Sequence, residues 1–221
     1  MSPNVEEIKK QDIIDQLTWD DSVNANEVHV HVDDGTVELS GVVDSFAGKI
    51  AAEKDAYQIA GVKEVDNNLD VKYPADITIP NDIEITSNIN RMLLWNSNVN
   101  SSNIQVETNN RVVTLKGSVE SYWEKYLAED IANTAFGVAG IINLLEVTLT
   151  KSIVDIDIEN DIKRAFRRSF FIDEDRITVN VNNGTVTLRG SVPSYPVKKE
   201  ALDIAKYTSG VIDIIDELVI E

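Results

Sequence analysis

Apolar residues recur along the chain in blocks that alternate between a helical period and a period of two. From residue 5 to 18, Val5, Ile8, Ile13 and Leu17 fall at roughly helical spacing. In Val28-His-Val-His-Val32 the valines face one way and His29 and His31 the other, as in a strand with one buried face. Asp33-Asp34-Gly35-Thr36 suits a tight type I′ hairpin, in which both central residues need φ > 0. The returning strand puts Val37, Leu39 and Val43 inward. Gly41 stands where a side chain would point inward, which predicts a bulge or a close approach of the following helix. A second helix is predicted from about Ser45 to Ala60, with Ala52, Ala56 and Ile59 on its apolar stripe. It closes at Gly61, read as a left-handed residue at the helix end. A last strand carries Val65, Leu69 and Val71 inward.

The whole block then repeats. Gly35-Thr-Val-Glu-Leu-Ser-Gly41 returns as Arg111-Val-Val-Thr-Leu-Lys-Gly117 and as Gly184-Thr-Val-Thr-Leu-Arg-Gly190, 76 and then 73 residues on. Gly61 aligns with Gly137 and Gly210, and Ile13/Leu17 with Ile89/Leu93 and Ile162/Phe166. These periods predict an α+β protein of three tandem α-β-β-α-β repeats, at 1–73, 80–149 and 157–221. Each is a small mixed three-stranded sheet with two helices on one face. Gly35, Gly41, Gly61, Gly117, Gly137, Gly184, Gly190 and Gly210 are read as structural. Arg111 breaks the pattern at a hairpin glycine, so either it is strained by roughly 1 kcal/mol or its turn is of another type. In the linkers at about 73–81 and 149–157, Ile77, Ile79, Ile156 and Ile158 alternate with polar residues, which predicts short edge strands.

A helix, a hairpin with Asp-Gly-Thr-Val-x-Leu-x-Gly, an Ala-rich helix, and Gly61-Val-Lys-Glu-Val-Asp-Asn-Asn-Leu-Asp-Val71 together resemble the BON domain of bacteria. The resemblance covers nearly the whole chain. It implies a non-enzymatic module of the bacterial envelope or of osmotic-stress physiology. It also implies a partner that is either phospholipid or an envelope protein. It brings no catalytic residues to carry over.

Charge narrows the function classes. The chain has 20 Lys+Arg against 38 Asp+Glu, a net −18, so nucleic acid and anionic membrane are repelled over most of the surface. The excess is graded: −10 over residues 1–75, −5 over 76–150 and −3 over 151–221. There is no cysteine, so disulfides and thiolate chemistry are excluded. The polar start and the lack of a long apolar run predict a cytoplasmic protein as written, or a periplasmic one if a leader was removed.

Four features could carry chemistry. His29 and His31 share a strand face, a spacing that metal sites use, but no third ligand accompanies them, and a solvated face is the reading preferred. No metal or cofactor is predicted. Lys163, Arg164, Arg167 and Arg168 share a helix face beside Phe166, Phe170 and Phe171. They form either a surface for anionic lipid headgroups or an acidic partner, or a face that pairs with the chain's own acids. Trp19 and Trp95, aligned at the ends of first helices, read as lids on the core. Tyr122, Trp123 and Tyr126 are the candidates for a contact between repeats, with a partner, or in a homo-oligomer. Asp12, Asn88 and Asp161 are read as helix-dipole or capping groups.

Overall fold

A computed structural model describes residues 5–149 and 153–221. The first repeat runs α1 (Val5–Trp19), β1 (Glu27–Asp33), β2 (Thr36–Val43), α2 (Phe46–Gln58) and β3 (Glu64–Val71). The second has α3 (Asp82–Trp95), β4 (Ile104–Asn109), β5 (Val112–Val119), α4 (Tyr122–Asn133) and β6 (Gly140–Val147). The third has α5 (Asp155–Arg168), β7 (Ile177–Asn182), β8 (Thr185–Val192), α6 (Tyr195–Tyr207) and β9 (Asp213–Ile220). In each sheet the middle strand pairs antiparallel with the first and parallel with the third, so the α+β class and the mixed three-stranded sheets stand as predicted.

Each repeat closes its own core. The pairs Ile13/Leu17, Ile89/Leu93 and Ile162/Phe166 are buried against the inward valines and leucines of the sheet. Val5 and Ile8 are exposed, so the apolar stripe of α1 begins later than the spacing suggested. The equivalent of the buried Ile85 and Ile158 in the first repeat is Lys9, whose Nζ donates to the carbonyl of Gly61 at 3.2 Å.

The hairpins are all type I′: Asp34/Gly35, Asn110/Arg111 and Asn183/Gly184 have positive φ. Arg111 therefore keeps the repeat's turn, at φ 66, and carries the strain of a non-glycine there. The turn is held from outside. Asp82, first residue of α3, accepts from the amides of Asn110 and Arg111, both at 2.9 Å, and Asp155 accepts from those of Asn183 and Gly184. These first-turn carboxylates, and not Asp12, Asn88 and Asp161, do the work at the helix starts. The latter lie mid-helix, where Asn88 and Asp161 bind Arg91 and Arg164.

Two glycine readings change. Gly41, Gly117 and Gly190 are required by the backbone at the entry to the repeat's first strand and not by the following helix. An added Cβ would sit 2.0 Å from the carbonyl oxygen of Glu27, 1.9 Å from that of Asn103 and 2.0 Å from that of Arg176. Gly61, Gly137 and Gly210 are left-handed, but each lies past the helix cap. They occupy the third position of turns closed by Val62 N–H to Ile59, Val138 to Ala135 and Val211 to Thr208. The linker isoleucines form no strands. Residues 73–81 are turn and extended chain, Ile156 and Ile158 belong to α5, and residues 150–152 lie outside the described residues.

The repeats also pack on one another, through positions that are themselves repeated. Phe46, Tyr122 and Tyr195 are the first residues of α2, α4 and α6. Phe46 packs against the core of the second repeat and Tyr122 against that of the third, while Tyr195 stacks on Tyr57 of the first at 4.0 Å. Each repeat thus presents the same residue to the next, and the third closes on the first. The three seams thus close a ring of contacts within one chain, though they are built differently.

Candidate functional surface

The ring accounts for the aromatic cluster flagged in the middle repeat. Trp123 lies 4.6 Å from the ring of Tyr207 and 5.8 Å from that of Tyr126, and Lys206 Nζ sits 3.5 Å over the Tyr126 ring. Tyr122 faces the third repeat's core. All three residues therefore belong to the seam between the second and third repeats. Burial raises the pKa of Tyr122, Tyr126 and Tyr195 above the ordinary phenol value. Asp203 sits at this centre, bonded to Lys199 and Lys206. Burial works against its charge, but the two ammonium groups win and hold its pKa low.

The seam between the first and second repeats is polar at its heart. Tyr73, beyond β3, is buried in the second repeat's edge. Its hydroxyl donates to the Val138 carbonyl at 2.9 Å and accepts from the Gly137 amide at 3.1 Å. Its ring meets Phe136 edge-on, and the Arg111 guanidinium lies 5.6 Å over it. The residue that breaks the hairpin pattern thus makes a cation–π contact across a repeat boundary.

The basic helix is largely neutralised within its own repeat. Lys163 pairs with Glu159, Arg164 with Asp161 and Arg167 with Glu174. Arg168 alone of the four has no ion-pair partner among the described residues. The pairing acids come from the third repeat, not from the acidic first one.

The tryptophans are not lids. Trp19 is 79% and Trp95 80% exposed, with Leu94 at 70% beside the latter. In the third repeat Arg168 takes the aligned position, and the apolar role passes to Phe170 and Phe171, 94% and 67% exposed and edge-to-face with each other. The end of every first helix therefore projects large apolar side chains into solvent, whereas a soluble domain normally hides them.

Other candidate surfaces are quieter. His31 pairs in register with Glu38, which pairs with Asp66 across the outer face of the first sheet. Among the described residues no group of three or more His, Cys, Asp or Glu is placed to hold a metal ion. On the equivalent faces of the other sheets the third strand exposes Ile142 and Leu144, and Ile215 and Val219. Each third strand spends an amide on its own side chain, with Leu69 N–H on Asn67, Leu145 on Asn143 and Leu218 on Asp216. That reduces what the free sheet edge can offer to an added strand. Among the described residues no helix is long and apolar enough to cross a membrane.

The BON domain model matches residues 6–73, 81–148 and 155–221, one match per repeat. The chain belongs to the BON domain family. Among curated proteins it is similar to osmotically-inducible protein Y of Escherichia coli (strain K12), 33% identical over 129 residues. That match covers 57% of this chain and 64% of the relative, just under two thirds of its length. An uncharacterized protein encoded in the gshII 5′ region of Anaplasma centrale is 29% identical over 127 residues, 56% of this chain and 83% of the relative. Among solved structures, CdsD, a structural protein of the type III secretion system of Chlamydia trachomatis, aligns over 96% of this chain and 91% of its own, at 16% identity and a TM-score of 0.27. The PrgH periplasmic domain aligns over 91% and 98% at 9% identity and a TM-score of 0.24. Scores this low carry no argument about function.

Proposed function

We propose that this BON protein is a non-enzymatic scaffold of bacterial envelope or osmotic-stress physiology that associates with phospholipid through the ends of its first helices. The observation that carries the reading is the set of exposed side chains Trp19, Leu94, Trp95, Phe170 and Phe171. They recur at one place in every repeat although the residue types differ. Tryptophan favours the water–lipid boundary, phenylalanine and leucine insert beneath it, and three linked modules raise avidity well above that of one. The likeness to osmotically-inducible protein Y supports the stress setting. Flotation with phospholipid vesicles tests it: the chain rises with the vesicles, and a protein that stays at the bottom at every vesicle composition overturns the lipid part.

A second reading, self-association or docking of an envelope protein, rests on the outer faces of β6 and β9, where Ile142, Leu144, Ile215 and Val219 are exposed. Light scattering separates the two. A dimer abolished by Ile142→Asp and Leu144→Asp, with no vesicle binding, favours the second.

A further inference from the structure

We infer that Asn183 is a site of spontaneous modification, where the side-chain amide is lost through a cyclic imide that water then opens, and that Asp155 guards it. The chemistry needs neither lipid nor partner. Two observations carry it, one in the residues of the three hairpins and one in how the third hairpin is held.

In this reaction the backbone nitrogen that follows an asparagine attacks the side-chain carbonyl carbon. A C–N bond forms, ammonia leaves, and water adds across the imide to give aspartate or isoaspartate. A side chain on the following residue crowds the attacking nitrogen, so glycine there leaves the approach most open. Asn183-Gly184 is the only Asn-Gly pair in the chain. The three hairpins fill the same left-handed turn in three ways. The first has Asp34-Gly35, which is already an acid. The second has Asn110-Arg111, with a side chain in the way. Only the third joins asparagine to glycine. Asn96 and Asn100 precede serine, and the Oδ1 of each is tied to an amide two residues on, that of Asn98 or Ser102.

The folded turn holds the reacting groups back. Attack needs the Gly184 nitrogen stripped of its proton and brought within about 3–3.5 Å of the Asn183 side-chain carbon. Instead the Gly184 N–H donates to Asp155 Oδ1 at 2.9 Å, and the Asn183 N–H donates to Oδ2 at 2.8 Å. A carboxylate bonded to an N–H opposes loss of that proton. The Asn183 carboxamide is turned back along the chain, with its Nδ2 donating to Asn182 Oδ1 at 2.9 Å. Asn183 is exposed, so water reaches an imide there, whereas Gly184 is buried. Reaction therefore proceeds from the moments when the hairpin lets go of Asp155. The aspartate product fits the turn, since Asp34-Gly35 makes the same one in the first repeat. Isoaspartate lengthens the main chain between residues 183 and 184, so the two amides no longer match one carboxylate. α5 then loses its tie to the hairpin, and either product adds a negative charge.

The test is incubation of the full chain at mildly alkaline pH in heavy-oxygen water, which marks each newly made carboxyl, followed by peptide mass mapping. The expected result is conversion concentrated at Asn183, with a rate that rises on the order of tenfold when Asp155→Ala removes the clamp. Unfolding the parent in urea should speed the same site by at least as much, and that arm needs no variant to fold. Arg111→Gly should open a second site at Asn110, held back in its turn by Asp82. Conversion spread evenly over the asparagines, or led by Asn96 or Asn100, overturns the site. A silent Asn110 in the Arg111→Gly chain overturns the part given to glycine. An Asp155→Ala chain that keeps the parent's circular dichroism spectrum and reacts no faster overturns the guard, as does a urea-unfolded parent that reacts no faster than the folded one.

Discussion

Removing one oxygen atom, by Tyr73→Phe, tests whether the first two repeats are one unit. The ring stays, with its edge-on contact to Phe136 and its place under Arg111. What goes is a hydroxyl that accepts from the Gly137 amide at 3.1 Å and donates to the Val138 carbonyl at 2.9 Å, in a site where Tyr73 is 8% exposed. A buried backbone group left without its partner costs about 1–3 kcal/mol, and a carbonyl tolerates the loss better than an amide. Two such groups are orphaned, so the expected destabilisation is about 2–3 kcal/mol. For a chain of this size that lowers Tm by about 4–10 °C. Urea unfolding followed by circular dichroism measures it, with Tyr57→Phe as the control. The Tyr57 hydroxyl accepts from the Val65 amide, within its own repeat, and its loss should cost about 1 kcal/mol. If Tyr73→Phe unfolds within about 0.5 kcal/mol of the parent, the hydroxyl does not couple the repeats and the ring argument loses its first seam.

Three further outcomes follow from named contacts. Gly117→Ala would drive a methyl onto the Asn103 carbonyl and force a residue at φ 109, so a loss of at least about 3 kcal/mol is expected in thermal denaturation, with no counterpart for Ala at the roomier Gly140. Asp55 is buried between α1 and α2, with Gln16 and Gln58 donating to Oδ1 and no acceptor role filled at Oδ2. Burial, then the neighbouring Asp20, raises its pKa. A raised carboxyl favours folding below its unfolded pKa and costs stability as pH rises through the folded value. Asp55→Asn should therefore be near neutral at about pH 3.5 and stabilising at pH 7, and a stability difference independent of pH would sink the argument. Asp203 works with the opposite sign: its lowered pKa gives stability present above the unfolded value and lost on acidification. Asp203→Asn should flatten the acid limb of a Tm–pH profile.

The fold was legible because its instructions are local and written three times. Inward valines and leucines, the Asp34-Gly35 turn and the glycines at 41, 117 and 190 each act within about thirty residues, and alignment of the copies removes the noise. Contacts between repeats were harder to read. Phe46, Tyr122 and Tyr195 align, but only Tyr122 was singled out from the sequence, and their partners are a hydrophobic core in two cases and a single tyrosine ring in the third. No common partner residue marks the column. The projecting tips ran against expectation for a different reason. Large aromatic residues at a helix end are usually buried, and periodicity cannot tell a lid from a prong when the residue falls just past the apolar stripe. The basic face of α5 was legible as composition and misleading as charge, because its neutralising partners lie three, four and seven residues away in sequence.

What the three copies keep and what they vary point in the same direction. They keep the close strand crossing at Gly41, Gly117 and Gly190, the self-capped edge strand, and the aromatic first residue of the second helix. Those features close each core and then close the ring, so they are already spent on holding the protein together. They vary the hairpin residue at Arg111, the buried charge at Asp55 and the outer sheet faces, which pass from Asp66 and Asn68 in the first repeat to Ile142 and Leu144 in the second. A homotrimer of single repeats would have three identical outer faces. A fused ring need not, and here it has an acidic face on one side and apolar ones on the others, while the helix tips stay apolar all round.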